Sequence, residues 1–272
     1  MHFQFANINS LENLLAEQQE RVRRAPTAAT ERFRLFQVMS LLGDWNSADR
    51  QLRHALDYDA SLLPMIRSYQ LIVEAELQRA RNWKGEQPVK LDNPSHEEWA
   101  QRLAADSALI DAPERLAQSL AEAPALRGEI DIAVEGKQQL RTEAFQWIAD
   151  GDCRLGPMLE LIGQHGYYRM PLTDMREVEI SAPQSGCDRL WARVAITRNS
   201  GDRLRATIPV RYAGDYGTQS TALLLGRATS WFALGDETLQ LFGGEGQRMW
   251  ITESGEYALL DVRAIRLFGN AK

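Results

Sequence analysis

Apolar residues recur three and four positions apart from residue 10 to about residue 124, the spacing that lines one face of a helix. Ser10 is placed to cap a first helix whose stripe is Leu11, Leu14, Leu15 and Val22. Pro26-Thr27 ends it, and Thr27 is the expected N-cap of a second helix with Glu31 in its first turn. That helix turns Phe33, Leu35, Phe36, Met39 and Leu42 inward and stops at Gly43. A third starts near Asn46 with Ala48, Leu52, Ala55 and Leu56, and a fourth runs from about Ser61 to Asn82 on Leu62, Ile66, Tyr69, Val73 and Leu77. Residues 84–96 are turn-rich and read as a loop. Ser95 then starts a helix that continues through Leu103, Ala104, Leu109 and Ile110, and Pro113 opens another that Pro124 closes.

After about Gly128 the period shortens. Extended runs are predicted at Ala144–Ile148, Met158–Ile162, Tyr167–Leu172, Leu190–Thr197, Leu204–Tyr212, Leu223–Leu234, Gln247–Thr252 and Tyr257–Phe268. Turn residues separate them, among them Asn199-Ser-Gly-Asp202, and Gly243-Gly-Glu-Gly246 reads as a hairpin turn. The gaps are too short for crossover helices, so the sheet should be mainly antiparallel, bent into a partial barrel. The expected architecture is therefore a helical domain over 1–126 followed by a β-rich α+β domain over 127–272.

The second and third helices fit the tetratricopeptide pattern, a helix hairpin of about 34 residues. Gly43-Asp-Trp45 stands at its turn, and Ala48, Leu52 and Ala55 supply the small, large and small positions. Two positions depart from the pattern: Phe36 stands where Gly or Ala is preferred, and Ala60 where Pro is. Such a unit either presents a concave surface to a peptide or helix or forms a layer supporting the second domain.

Composition narrows the function classes. A net charge of −6 argues against a nucleic-acid surface, and neither a signal peptide nor a membrane-spanning apolar run is read from the 272 residues, so the cytoplasm is the expected compartment. The two cysteines, Cys153 and Cys187, are then expected as free thiols. The four histidines are scattered, and no nucleotide-binding or nucleophile-elbow motif occurs, so no cofactor, metal or catalytic constellation is read. The strongest chemical candidate is Trp147-Ile-Ala-Asp150-Gly-Asp152-Cys153-Arg154-Leu-Gly-Pro157. Two carboxylates with a thiol and a guanidinium could form a metal or acid–base site, with His165 a conceivable partner for Cys153. The alternative is a tight turn in which Asp150 and Asp152 accept backbone hydrogen bonds and pair with Arg154. The tryptophans, Trp231 among them, are expected to anchor packing, with one or two available to a recognition groove.

The wording of several segments adds to this reading. Leu35-Phe36-Gln37 with Gly43-Asp44-Trp45 and Ala48 resembles the start of the ImpE/SciE/TagJ family of type VI secretion accessory proteins. So do Trp147 to Asp150 with Asp152, Arg154, Gly156-Pro157 and Glu160; Ile208-Pro-Val-Arg-Tyr212; Leu225-Gly-Arg227 with Thr229 and Trp231; and Gly246-Gln-Arg-Met249. Cys153 and Gly151 depart from the family's Ser and Ala at those places, and the stretch around Val134 to Leu140 is longer than usual. The resemblance implies a non-catalytic adaptor. Its implied partner is the small subunit of the contractile sheath, held through that subunit's N-terminal amphipathic helix, with a link to the ATPase that disassembles the sheath as a further implication. Trp147, Asp150, Asp152, Arg154, Trp231 and Arg248 are the candidate partner-binding residues. A ligand-binding or hydrolytic module built on Asp150, Asp152 and Arg154 is the competing expectation.

Overall fold

The structure is a computed structural model and describes residues 8, 10–92, 97–108, 112–134, 136 and 139–268. Its first part is helical: α1 (Leu11–Arg24), α2 (Ala29–Leu41), α3 (Trp45–Tyr58), α4 (Leu63–Trp83), α5 (Glu98–Asp106) and α6 (Pro113–Ala121). Ser10 caps α1 by accepting a hydrogen bond from the Asn13 N–H at 3.2 Å. Arg21, Arg23 and Arg24 in its last turn pair with Glu17 and Glu20 on the solvent side. Thr27 does not cap α2. The turn occupies residues 26 and 27, which leaves Ala28 at the cap position without a side-chain bond. Ser95, Leu109 and Ile110, expected at the ends of α5, lie outside the described residues.

The α2–α3 hairpin is made by its turn. Gly43 takes φ +72°, and a Cβ there would stand 2.2 Å from the Tyr216 ring, so the position needs glycine twice over. Asp44 then accepts from the Ser47 N–H at 3.0 Å and starts α3. Ala48, Leu52 and Ala55 are fully buried between the helices. Phe36 is large because it does more than pack a helix hairpin: its ring lies against Tyr69 of α4 and, nearly parallel at 6.3 Å, against Trp191.

The second part contains β1 (Arg127–Ala133), β2 (Leu140–Phe145), β3 (Ile148–Asp150), β4 (Met158–Gly163), β5 (Gly166–Pro171), β6 (Met175–Ile180), β7 (Trp191–Arg198) and β8 (Arg203–Pro209). A short α7 (Thr221–Leu224) precedes β9 (Thr229–Ala233), β10 (Phe242–Gly246), β11 (Met249–Thr252), β12 (Gly255–Ala258) and β13 (Val262–Phe268). Eight strands form one sheet in the order β2-β1-β13-β6-β7-β8-β4-β5, with antiparallel pairing throughout. Among the described residues no pairing joins the edges β2 and β5, so the sheet is open. β12-β11-β3 make a smaller sheet, and β9-β10 a two-stranded ribbon.

Several boundaries differ from those expected. β1 and β6 are strands whose apolar residues (Ile130 and Ile132; Val178 and Ile180) alternate with Glu and Asp, an exposed-face pattern that dilutes the apolar run. The run 144–148 is broken at Gln146-Trp147, where both backbone N–H groups donate to Glu253. The run 223–234 is broken by Gly226, with helix before it and strand after. Gly243-Gly-Glu-Gly246 is a strand rather than a turn, because a side chain at Gly243 or Gly244 would meet the rings of Phe232 and Tyr212.

The eight-stranded sheet has two different faces. On one, Leu159, Leu161, Met170, Val178, Val194, Ile196, Ile208 and Ile265 form a core with Ile148, Trp250 and Tyr257 of the small sheet. On the other, Ile162, Tyr167 and Trp191 share a cluster with Phe33, Phe36, Trp45, Leu52, Ile66 and Val73 of the helices. Helices and sheet thus bury one apolar cluster in common. Among the described residues no helix is long and apolar enough to cross a membrane.

Candidate functional site

Strand alternation places Glu160 of β4 and Arg169 of β5 side by side on the helix-facing side of the sheet. α4 brings Glu76, Arg79 and Trp83 down onto them, residues three and seven positions apart on one helical face. Arg79 forks onto Glu160 with Nε–Oε1 at 2.9 Å and Nη2–Oε2 at 2.8 Å. Glu160 also accepts from the Tyr167 hydroxyl (2.5 Å), the Trp83 indole (3.1 Å) and Arg248 Nη1 (3.1 Å). Glu76 accepts from the Trp191 indole at 2.8 Å and from Arg79.

Arg248, just before β11, carries the network onward to Asp150 at the end of β3, with Nη2–Oδ2 at 2.7 Å and Nε–Oδ2 at 3.0 Å. The other Asp150 oxygen accepts from the Asp152 N–H. Asp152 takes Arg154 on both oxygens and the Gly244 N–H on Oδ2. Arg154 lies over the Trp83 ring at 4.4 Å and the Phe232 ring at 5.3 Å, while Arg169 stacks on Trp83 at 4.8 Å. Arg211 holds a separate post: its guanidinium donates to the carbonyls of Ser40 and Leu41 at the end of α2 and of Leu224 in α7, where helix dipoles favour a cation.

Arg79, Arg169, Arg211, Arg248, Glu76, Glu160, Asp150 and Asp152 are all buried. Removing such charges from water costs several kcal/mol each unless partners replace the solvent, and here they do. Burial works to raise the Glu160 carboxyl, but Arg79 and Arg248 outweigh it and hold the group well below the usual carboxylate range. Burial prevails at Asp150 and pushes it up to about 6 in spite of Arg248. Burial, with repulsion from Arg79 added to it, lowers Arg211, whose guanidinium donates to carbonyls rather than to a carboxylate.

The candidate residues fall into two groups. Asp150, Asp152, Arg154 and Arg248 meet in this network, with Trp231 beside it against Tyr212 at 5.8 Å. Trp147 is not brought there; it stands exposed on the β2–β3 turn. All four oxygens of Asp150 and Asp152 accept hydrogen bonds, so the turn is built from backbone donors and arginines. Among the described residues no group of His, Cys, Asp and Glu is arranged to hold a metal ion. Cys153 and Cys187 are free, and burial pushes both thiols up. The Cys153 sulfur accepts from the Phe242 N–H, while His165 is exposed on the β4–β5 turn.

Sequence reasoning missed Glu76, Arg79, Trp83 and Arg169. The available signal was a charge inside a strand with no exposed position: Glu160 amid Met158–Ile162, and Arg169 between Tyr168 and Met170. Above the network a cleft of about 690 Å³ opens between the two parts, walled by Leu42 to Asn46, the end of α4, Arg154 and the loop 213–217.

By fold the chain is thus an α+β protein whose helical layer and antiparallel sheet are locked together by a buried ion network. A relative places it more closely: the type VI secretion system accessory component TagJ of Pseudomonas aeruginosa strain PAO1 is 35% identical over 262 residues, spanning 94% of this chain and 86% of that protein. The family model described as ImpE protein matches residues 142–266. The chain belongs to the ImpE family, which includes TagJ. The crystal structure of protein VPA1032 from Vibrio parahaemolyticus has the same fold, with a TM-score of 0.81 over 96% of this chain and 95% of that one at 20% identity.

Proposed function

We propose that this protein is a cytoplasmic accessory component of a type VI secretion system that holds partners rather than transforming substrates. The relationship to TagJ supports the accessory role. The observation that carries the non-catalytic reading is that the carboxylates are taken up inside the molecule, Asp150 and Glu160 by Arg248 and Asp152 by Arg154. The partner in this reading is the small contractile-sheath subunit, taken through its N-terminal amphipathic helix, which would connect the sheath to its disassembly ATPase. The helical part is read as tetratricopeptide-like. Among the candidate residues, Arg154, Trp231 and Trp147 have surface to offer a partner, and Asp150, Asp152 and Arg248 hold Arg154 from beneath.

Isothermal titration of the full chain with a synthetic peptide of that helix, taken from the sheath subunit of the same organism, tests the reading. Binding at about micromolar affinity or tighter is expected. Absence of heat, confirmed by failure to co-purify with the intact subunit, would remove the sheath from the proposal.

A further inference from the structure

The helical layer covers only part of its face of the sheet. α4 lies over β4 and β5, where Ile66 and Val73 share a cluster with Ile162 and Tyr167. Strands are spaced about 4.8 Å apart and helices pack at about 8–10 Å, so one helix covers roughly two strands. The next two strands on that face, β8 and β7, are covered only at the Trp191 end, where Phe36, Trp45 and Tyr69 lie against that ring; beyond it Thr207 and Ala195 are half-buried, and Arg193 and Arg205 are exposed. A trough of about 320 Å³ runs between α4 and this bare strip. Its helical wall is Met65, Ser68, Tyr69 and Ile72, a single i, i+3, i+4, i+7 stripe, and its other wall includes Trp191 and Thr207. The same stripe continues to Glu76 and Arg79, so the trough ends where the buried network begins.

We propose that this trough is a vacant helix slot that receives an amphipathic helix with an acidic flank. The apolar, aromatic wall matches anchors spaced i, i+4 and i+7 on an incoming helix. The sign of the flank follows from the rim. Asp188 takes up Arg193 and Glu179 takes up Arg203, while Arg205 makes no ion pair among the described residues. The strip therefore presents an unneutralised cation on a chain that is acidic as a whole. The proposal deepens the helix-binding reading above by naming its surface and the charge of its ligand, and rests on that reading only for the identity of the natural helix.

The test uses the full chain and two fluorescein-labelled, hydrocarbon-stapled helices of about four turns with the same leucine stripe, one flanked by glutamates and one by lysines. Ser68→Trp and Thr207→Trp fill the trough from opposite walls, and Arg205→Glu reverses its rim; circular dichroism selects variants that retain the fold. In anisotropy titrations the glutamate helix should bind, the lysine helix and each folded variant being at least about tenfold weaker. Failure of the glutamate helix to bind, or binding that a folded trough-filling variant leaves unchanged, overturns the slot. Competition by the intact sheath subunit then separates the two ideas: a glutamate helix displaced from the slot supports both. A slot that binds the helix while ignoring the subunit keeps the slot and removes the sheath as its occupant.

Discussion

Glu160 accepts from two arginines, a tyrosine and a tryptophan while fully buried, so its carboxylate balances charge as well as filling space. Glutamine in its place keeps the shape but leaves Arg79 and Arg248 short of a counter-charge. Glu160→Gln should lower stability by about 3–5 kcal/mol, the cost of stranding buried cations, as measured by urea unfolding at neutral pH. A loss under about 1 kcal/mol would mean that the arginines find other compensation. The pH dependence has a definite sign. The folded-state value lies below the usual 4.5, so the stabilisation is complete above that value and fades as pH falls through the folded one. The gap between the natural chain and Glu160→Gln should therefore narrow on acidification below 4.5, and a gap that widens there would contradict the assignment.

The elements depend on a few positions where the backbone is special. Asp44 caps α3 directly after Gly43 turns the chain, so Asp44→Ala should cost about 1 kcal/mol without altering the far-ultraviolet spectrum. In β10 a Cβ at Gly244 would stand 2.3 Å from the ring of Tyr212, itself completely buried. Gly244→Ala should cost about 1–3 kcal/mol by overpacking, read from the denaturation midpoint; a neutral outcome would show that the β9–β10 ribbon can shift away from the ring.

At the scale of the whole molecule, the apolar cluster and the ion network both cross from helices to sheet. A chain cut between residues 126 and 127 would expose Trp191, Tyr167 and Glu160 on one piece and Arg79 and Phe36 on the other. Full-length protein should unfold in one transition, with tryptophan fluorescence and circular dichroism coincident, and each piece alone should melt without cooperativity. Two separate transitions in the intact chain would show that the parts are stabilised independently.

Helical periodicity, the Ser10 cap, the Gly43-Asp44 turn and the antiparallel order could be read from the chain because each arises from residues close together in sequence. The same holds for the Asp150–Asp152–Arg154 turn, whose bonds span two residues. β1, β6 and β10 were hidden because their acidic and glycine positions are explained only by the strands and rings opposite them. The Arg79–Glu160 fork joins residues 81 positions apart, and Arg248–Asp150 joins residues 98 apart. A charge reads as solvent-facing until a distant partner replaces its water, so only the tertiary structure could turn these residues from surface to core.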